Sequence, residues 1–466
     1  MNLATLVESS VWFFVGYFVL INGSYLLIHG AALVGARRDS RERSVDAPYN
    51  LHESPFVPGI AVVLPAYNEA PVIVSSIRSL LSVEYPDFEV VVVNDGSTDG
   101  TLERVKAEFD LERADAAYPL DPPCEPITDV YRASDANLVV LDKENGGKAD
   151  ALNAGLFFTD QPLFCAVDAD TIIERSALLE VVRPFLRDPE RMLATGGTVR
   201  VANGCSIRDG VVQRVGLADS RLVNLQTMEY LRAFLSGRIG LSVLNSLLII
   251  SGAFGVFRTS AVREIGGYST DSITEDMELI LALHHHFAER DRAYSVEFVP
   301  DAVVWTEAPE SRAVLARQRS RWYRGLLESL LTHRGMVGRR RYGAVGLVAL
   351  PFFVLVEALG PLIEGVGYVL IPVAFLLGVL DVPFFVLFVA VALGLGTLMS
   401  WLSVFTEVVS FRRYTRPRDI VAILGYGVAE NVLYRQWKAL IAWKALLQFV
   451  RGDKSWGEMT RVGLEK

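Results

Sequence analysis

Two aspartates one residue apart, Asp168 and Asp170, close the apolar run LFCAVDAD. Carboxylates so spaced at a strand-to-loop transition can share a hard cation with a diphosphate, and the cation neutralises charge on a departing phosphate. Asn94-Asp95-Gly96-Ser97-Thr98-Asp99-Gly100 follows another apolar run. Its glycines permit tight turns, Thr98 or Asp99 can cap the next helix, and Asp95 can accept a hydrogen bond from a nucleobase N–H. An ordinary capped turn accounts for the same residues. Asn145-Gly146-Gly147-Lys148 is a second glycine turn ahead of a helix. Its backbone N–H groups and the Lys148 ammonium suit an anion, although a plain turn reads the same way. Thr274-Glu275-Asp276 opens the stretch TEDMELILALHHHF. Either it is a helix cap with two acids that favour the dipole, or Asp276 is a general base for an attacking hydroxyl. In Gln318-Arg319-Ser320-Arg321-Trp322, helical spacing puts Gln318, Arg321 and Trp322 on one face. Arg321 suits a diphosphate and Trp322 a flat apolar surface; a membrane-interface helix is the alternative.

These groups act together only if the fold gathers them. From residue 60 onward short apolar runs alternate with amphipathic stretches. IAVVLPAY, EVVVVND, NLVVLD and LFCAVDAD predict buried strands, and 70–83, 100–111 and 147–159 predict helices. Such alternation predicts an α/β fold with a parallel, doubly wound sheet, whose ligands bind at the carboxyl ends of the strands. The polar residues above stand at those ends. Residues 112–136 lack a clear period and predict a surface loop or insertion. Residues 241–257 are apolar but short and carry Asn245, Ser246, Ser251 and Gly252, which predicts a helix and strand packed inside the soluble domain. The stretch 211–238 predicts an amphipathic helix suited to a membrane surface.

Hydrophobic residues make up 51% of the 466 and charged residues 21%. They are unevenly placed, as in a soluble domain joined to membrane helices. Residues 11–34 carry no acidic or basic group except His29, and Arg37, Arg38, Arg41 and Arg43 follow at once. That predicts a span followed by a cytoplasmic segment rather than a cleaved signal peptide. Residues 44–59 predict a linker. Residues 343–380 and 383–407 predict two more spans, interrupted by Pro361, Pro372 and Asp381-Val382-Pro383; the second ends at Arg412, Arg413, Arg416 and Arg418. Residues 419–450 predict a third C-terminal span or an interfacial helix, and the basic tail (Arg451, Lys454, Arg461, Lys466) predicts a cytoplasmic end. Three domains result: 1–43, a transmembrane helix with its basic flank; 44–335, a cytoplasmic α/β domain with interfacial helices; and 336–466, transmembrane or interfacial helices. The net charge of -9 argues against nucleic acid as a partner. Cys124, Cys165 and Cys205 fit neither a disulfide framework nor a zinc site. His284, His285 and His286 are consecutive on a helix and point in different directions, which opposes a shared metal. Glu357 and Glu364, seven residues apart in an apolar stretch, face either a polar channel or the headgroups beside a break at Gly360-Pro361.

Taken in order, VVLPAYNEA, VVVNDGSTDGT, NGGKADALNAG, DAD, TED and QRSRW resemble the processive, membrane-integrated family 2 glycosyltransferases. These include bacterial cellulose, poly-N-acetylglucosamine, chitin-oligosaccharide and hyaluronan synthases. The resemblance runs from residue 58 through 335 and loosely beyond. It implies a GT-A (Rossmann-like) fold with a transmembrane region in the cell membrane, a UDP-sugar donor (UDP-GlcNAc or UDP-Glc) and Mg2+ or Mn2+. It implies inverting, processive transfer to a growing β-linked polysaccharide with coupled export. It further implies that Ala66, Tyr67, Glu69 and Asp95 line the nucleoside pocket, that Lys148 and Asp168 contact the nucleotide, and that Asp168 and Asp170 hold the metal. Thr274, Glu275 and Asp276 would form the catalytic motif, with Asp276 the base. Gln318, Arg321 and Trp322 would hold the diphosphate and acceptor end, and Ser251, Gly252 and Ala253 a loop near the acceptor sugar. Cellulose synthases carry a more aromatic, Cys-containing loop there and an Arg-rich cyclic-dinucleotide module; hyaluronan synthases usually have Gly-Asp-Asp in place of TED. Both departures turn the expected product away from cellulose and hyaluronan. Competing readings are transfer of one sugar to a lipid acceptor, a non-catalytic membrane scaffold, and a nucleotidyltransferase. The intact acids and Lys148 oppose the scaffold, and TED with QRSRW beside a membrane opposes the nucleotidyltransferase.

Overall fold

Apolar runs rich in Val and Leu can be buried on both faces, and four of them form the centre of a ten-stranded sheet. The computed structural model describes residues 3–46, 54, 56–115, 122–208 and 210–453, with side chains of the first helix from Trp12 to Ala36. Most of the expected linker 44–59, the side chains of Arg37, Arg38, Arg41 and Arg43, and Lys454, Arg461 and Lys466 lie outside the described residues. The strands are β1 (Ile60–Ala66), β2 (Phe88–Asp95), β3 (Leu111–Arg113), β4 (Ile127–Ala133), β5 (Leu138–Lys143), β6 (Leu163–Val167), β7 (Thr171–Ile173), β8 (Met192–Val201), β9 (Ser206–Arg208), β10 (Val211–Arg214), β11 (Phe254–Arg258) and β12 (Ser295–Thr306). Their order is β3-β4-β5-β2-β1-β6-β11-β8-β12-β7, with β9 and β10 a separate hairpin.

Strands β5, β2, β1 and β6 are parallel, as their sequences predict. The sheet as a whole is mixed, because β11 runs antiparallel to β6 and β8, β7 to β12, and β4 to β5 and β3. Residues 112–136 are therefore not simply a loop. Residues 134–137 between β4 and β5 are too few for the crossover that parallel pairing requires, so the chain turns back antiparallel. From β1 the chain steps outward through β2 to β5, then lays β6 on the other flank of β1. That reversal opens a crevice at the carboxyl ends of β1, β2 and β6.

Two compact units emerge. Among the described residues, one lies within 41–218 and 247–308 and contains the sheet; the other comprises 3–40, 219–246 and 309–453. The expected boundary at 335 thus shifts: 219–246 and 309–335 pack with the apolar helices. Their polar side chains explain this, since Glu229 binds Lys438 at 3.0 Å and Ser320 donates to Gln448 at 2.6 Å. The helical stretch expected over 211–238 begins only at Arg221, because Val211–Arg214 pairs in the β9–β10 hairpin. In the 241–257 stretch the strand is β11, whereas the preceding helix, Arg238–Val243, belongs to the helical unit.

Among the described residues three helices are long and apolar enough to cross a membrane: Trp12–Ala36, Val345–Leu376 and Val382–Phe411. The 419–450 stretch is not one continuous helix. It breaks between Pro417–Ala429 and Arg435–Val450, where Val432 is extended and Leu433 has φ 67°. Glu357 and Glu364 flank a bend at Leu359 and meet protein partners: Tyr25 donates to Glu357 at 2.7 Å, and Arg435 grips Glu364 through Nε at 2.9 Å and through Nη2.

The helix Lys148–Phe158 is almost wholly buried, and Gly155 lets it lie against β1. A Cβ at 155 would stand 2.4 Å from Val63 Cγ1. Gly155→Val should destabilise the protein by about 1–3 kcal/mol through overpacking. A lowered thermal midpoint of the purified chain checks this.

Candidate active site

The loop after β1 and the loop after β2 lock together. Asn68, in the left-handed region at φ 56°, donates its N–H to Ser97 Oγ at 3.0 Å and accepts through Oδ1 from the Thr98 N–H at 2.8 Å. The N–H of Glu69 donates to Thr101 Oγ1 at 3.0 Å, and that of Ala70 to Asp99 Oδ2 at 3.1 Å. Neither Thr98 nor Asp99 stands at the N-cap, which is Gly100; Asp99, one residue earlier, accepts from the Thr101 N–H at 3.1 Å. Ala66 is buried at the end of β1, while the Tyr67 ring next to it is 52% exposed. Gly96, at φ 67°, stands where a Cβ would press within 3.0 Å of Asn145.

Asp95 is buried and its carboxylate is fully engaged. Oδ1 accepts from Lys143 at 2.7 Å and from the Gly146 N–H at 3.0 Å; Oδ2 accepts from the Gly147 N–H at 2.8 Å and Asn145 Nδ2 at 3.2 Å. These four bonds occupy the lone-pair directions of the carboxylate. The expected nucleobase acceptor is thus, in this structure, the latch of the Asn145-Gly146-Gly147-Lys148 turn.

That turn launches Lys148 into the centre of the acids. Its ammonium lies 2.6 Å from Asp168 Oδ1 and 2.7 Å from Glu275 Oε1. Burial works against its charge, but Asp168 and then Glu275 outweigh burial and raise its pKa above the usual lysine range. Asp276, next to Glu275, accepts from the Gly252 N–H at 3.1 Å and the Met277 N–H at 2.8 Å. Withdrawal from water, then the charge of Glu275, raises the Asp276 carboxyl above the ordinary aspartate range, against the opposing pull of Lys148. Asp170 is buried and accepts from Thr306, the last residue of β12, at 3.2 Å. The Ser251-Gly252-Ala253 loop closes over this cluster: a Cβ at Gly252 would stand 2.8 Å from Lys148 Nζ and 3.2 Å from Glu275 Oε1. Sheet order explains the gathering, because Phe254 pairs with Val167 and Thr306 with Thr171, which brings 251–253 and β12 to the Asp168–Asp170 loop.

Thr274 departs from the capping expectation. It precedes the helix Glu275–Glu289, yet its hydroxyl is buried and accepts nothing from that helix. The Met277 N–H is met instead by the Asp276 carboxylate, which leaves Asp276 braced at a helix N-terminus. The three histidines diverge as expected: His284 binds Tyr294 and the Leu247 carbonyl, His286 binds Glu264, and His285 is exposed.

In the helical unit, Gln318 and Trp322 are organised by the residue between them. Arg319 donates to Gln318 Oε1 at 2.7 Å and lies over the Trp322 ring at 4.1 Å from its centroid. Arg319 in turn meets Glu229 at 2.9 Å, and Glu229 also accepts from Tyr434 at 3.0 Å. Arg321 remains partly exposed on the same helix. Motif reading misses Lys143 and Thr306 in the sheet unit and Glu229 in the helical unit, and it gives no role to Asp150 or Arg319, which lie inside quoted motifs. Glu229 leaves one trace in the chain, as the lone acid between residues 220 and 243. Lys143 is simply a basic residue ending an apolar run.

Residues 163–402, more than half the chain, match the glycosyl transferase family group 2, and residues 61–119 match glycosyl transferase family 2. The chain is 31% identical over 275 residues to the poly-beta-1,6-N-acetyl-D-glucosamine synthase of Staphylococcus epidermidis RP62A, covering 59% of this chain and 56% of that protein. It is likewise 31% identical over 292 residues to the synthase of Staphylococcus aureus COL, covering 61% of this chain and 59% of that protein. The chain therefore spans less than two thirds of the length of these relatives. Among solved structures it resembles a Pyrobaculum calidifontis mannosyltransferase in complex with GDP-Man and Mn2+, with a TM-score of 0.50 and 18% identity, covering 88% of this chain and 99% of that one. At that identity the likeness speaks to the GT-A fold alone. Fold, motif order and family match agree: the chain is a glycosyltransferase and belongs to family 2.

Proposed function

We propose that this enzyme transfers N-acetylglucosamine, or the related glucose, from its UDP-sugar to the end of a growing β-linked polysaccharide at a membrane. The observation that carries the reading is the Lys148 ammonium held between Asp168 and Glu275, with Asp276 alongside on the Gly252 loop. The poly-N-acetylglucosamine relatives support the sugar. In the proposed reaction Asp276 takes the proton of the acceptor hydroxyl as its oxygen bonds the anomeric carbon. The bond from that carbon to the diphosphate oxygen breaks on the opposite face, and UDP leaves. One base facing the leaving group is enough for inversion. Ala66, Tyr67 and Glu69 line the nucleoside pocket, with Asp95 supporting the turn beside it. Lys148 and Asp168 contact the nucleotide, and Gln318, Arg321 and Trp322 contact the diphosphate and the acceptor end.

Asp168 and Asp170 suit Mg2+ or Mn2+. Their donors are hard carboxylate oxygens one residue apart on the loop after β6, the donor chemistry such a cation takes. When bound, such an ion would neutralise charge on the departing diphosphate. The three apolar helices support insertion in the cell membrane, and the arginines that follow the first and third, Arg37, Arg38, Arg41 and Arg43 and then Arg412, Arg413, Arg416 and Arg418, support a cytoplasmic sheet unit. Glu357 and Glu364, paired with Tyr25 and Arg435 within apolar helices, support a polar route for export.

The direct test is incubation of the purified chain with a panel of nucleotide sugars, measuring nucleoside diphosphate released. UDP-GlcNAc should give the highest turnover, and no release from any UDP-sugar would sink the reading. Sizing radiolabelled product should show a polymer; a single added sugar on lipid would replace processive elongation with transfer to a lipid acceptor.

Asp276→Asn should lower transfer by about 10²–10⁴-fold while leaving UDP binding intact. The kcat/KM profile should show an acid limb above the ordinary aspartate range, because the base works only when deprotonated and its pKa is raised. Glu275→Gln should move that limb to lower pH; an unmoved limb removes Asp276 as the titrating base. Asp170→Ala should abolish activity that Mg2+ or Mn2+ supports, and full wild-type activity in excess chelator would remove the metal from the mechanism.

A further inference from the structure

Lys143, the last residue of β5, belongs to no motif and is entirely buried. Its ammonium sits 2.7 Å from Asp95 Oδ1 and 2.5 Å from Asp150 Oδ1, and both carboxylates are themselves buried. Each acid holds backbone on its far side. Asp95 takes the N–H groups of Gly146 and Gly147 and, through its carbonyl, Asn145 Nδ2 at 2.7 Å. Asp150, in the first turn of the helix that Lys148 begins, takes the Glu125 N–H at 3.0 Å. It also packs so closely on Gly146 that a Cβ there would fall 2.4 Å from the Asp150 carboxyl.

We infer that Lys143 is a positioning residue for the nucleotide site: by bridging Asp95 and Asp150 it sets the turn from which Lys148 reaches Asp168 and Glu275. The inference rests on the donor reading above. A buried carboxylate keeps its charge only when paired, and removing one partner of a buried ion pair is strongly unfavourable. The other charged or titratable groups around Asp95 and Asp150 offer no replacement. Asp142 is taken by Asn94, Glu144 gives Lys143 only its carbonyl oxygen, and Cys124 and Glu125 stand beside Asp150. Of the groups named, Lys143 alone is positive. Without it, two buried carboxylates are left with no cation between them, and the turn that Asp95 holds through the Gly146 and Gly147 N–H groups loses its brace.

The test is UDP binding to the full chain in lipid nanodiscs by calorimetry, with thermal midpoints recorded in parallel. Lys143→Met should weaken UDP binding by about tenfold or more, because it leaves two buried carboxylates with no cation between them. Lys143→Gln, which keeps a hydrogen-bond donor without the charge, should also weaken binding, and Lys143→Arg, which keeps the charge, should bind more tightly than either. A merely structural role would lower the thermal midpoints and leave Kd unchanged. Wild-type Kd in Lys143→Met and Lys143→Gln overturns the inference. If the wild-type chain binds no UDP, the donor reading fails first and this inference fails with it.

Discussion

A single ammonium between two carboxylates organises the sheet unit's site. Lys148 is the first residue of its helix, Asp168 follows β6, and Glu275 opens another helix more than a hundred residues later in the chain. The three are brought within hydrogen-bonding distance only because β6 and β11 are neighbours and the Gly252 loop has no side chain to intervene. Remove the positive charge and the acids repel one another across a poorly solvated space. Keep it, and Asp276 is left as the carboxylate with a raised pKa, which is the property a base for a sugar hydroxyl requires.

Within each unit other buried charges are likewise satisfied by one another. Lys143 is shared by Asp95 and Asp150, and Glu229 is shared by Arg319, Lys438 and Tyr434. Buried ion pairs add little net stability, but they penalise any conformation that leaves one member alone. They therefore suit the fixing of turns and helices whose geometry matters more than their stability. In the helical unit, Arg319 carries that constraint to Gln318 and Trp322, so the QRSRW segment has an internal brace as well as outward-facing groups.

The family resemblance and the fold class were legible because their signals are local. A glycine turn, a pair of aspartates after an apolar run, or an uninterrupted 25-residue helix such as Trp12–Ala36 depends on neighbours in sequence. Legibility failed where pairing was long-range or weakly patterned. Strand β4 hides in residues without apolar alternation because it lies toward the sheet's edge, where only Val130 is buried. The 219–246 segment reads as part of the soluble domain, and only partners such as Lys438 and Tyr426 assign it elsewhere.

For Asp168 and Asp170, sequence by itself determined the residue types, their spacing and their place after a buried strand, since these follow from composition and period. Tertiary structure decided the division of labour among the acids: Asp168 on Lys148, Asp170 on Thr306, Asp276 on the Gly252 N–H, and Asp95 turned inward as a latch. The physical reason is that a carboxylate's role depends on which donors and charges surround it. In this chain those partners come from strands and loops that only the sheet order makes adjacent.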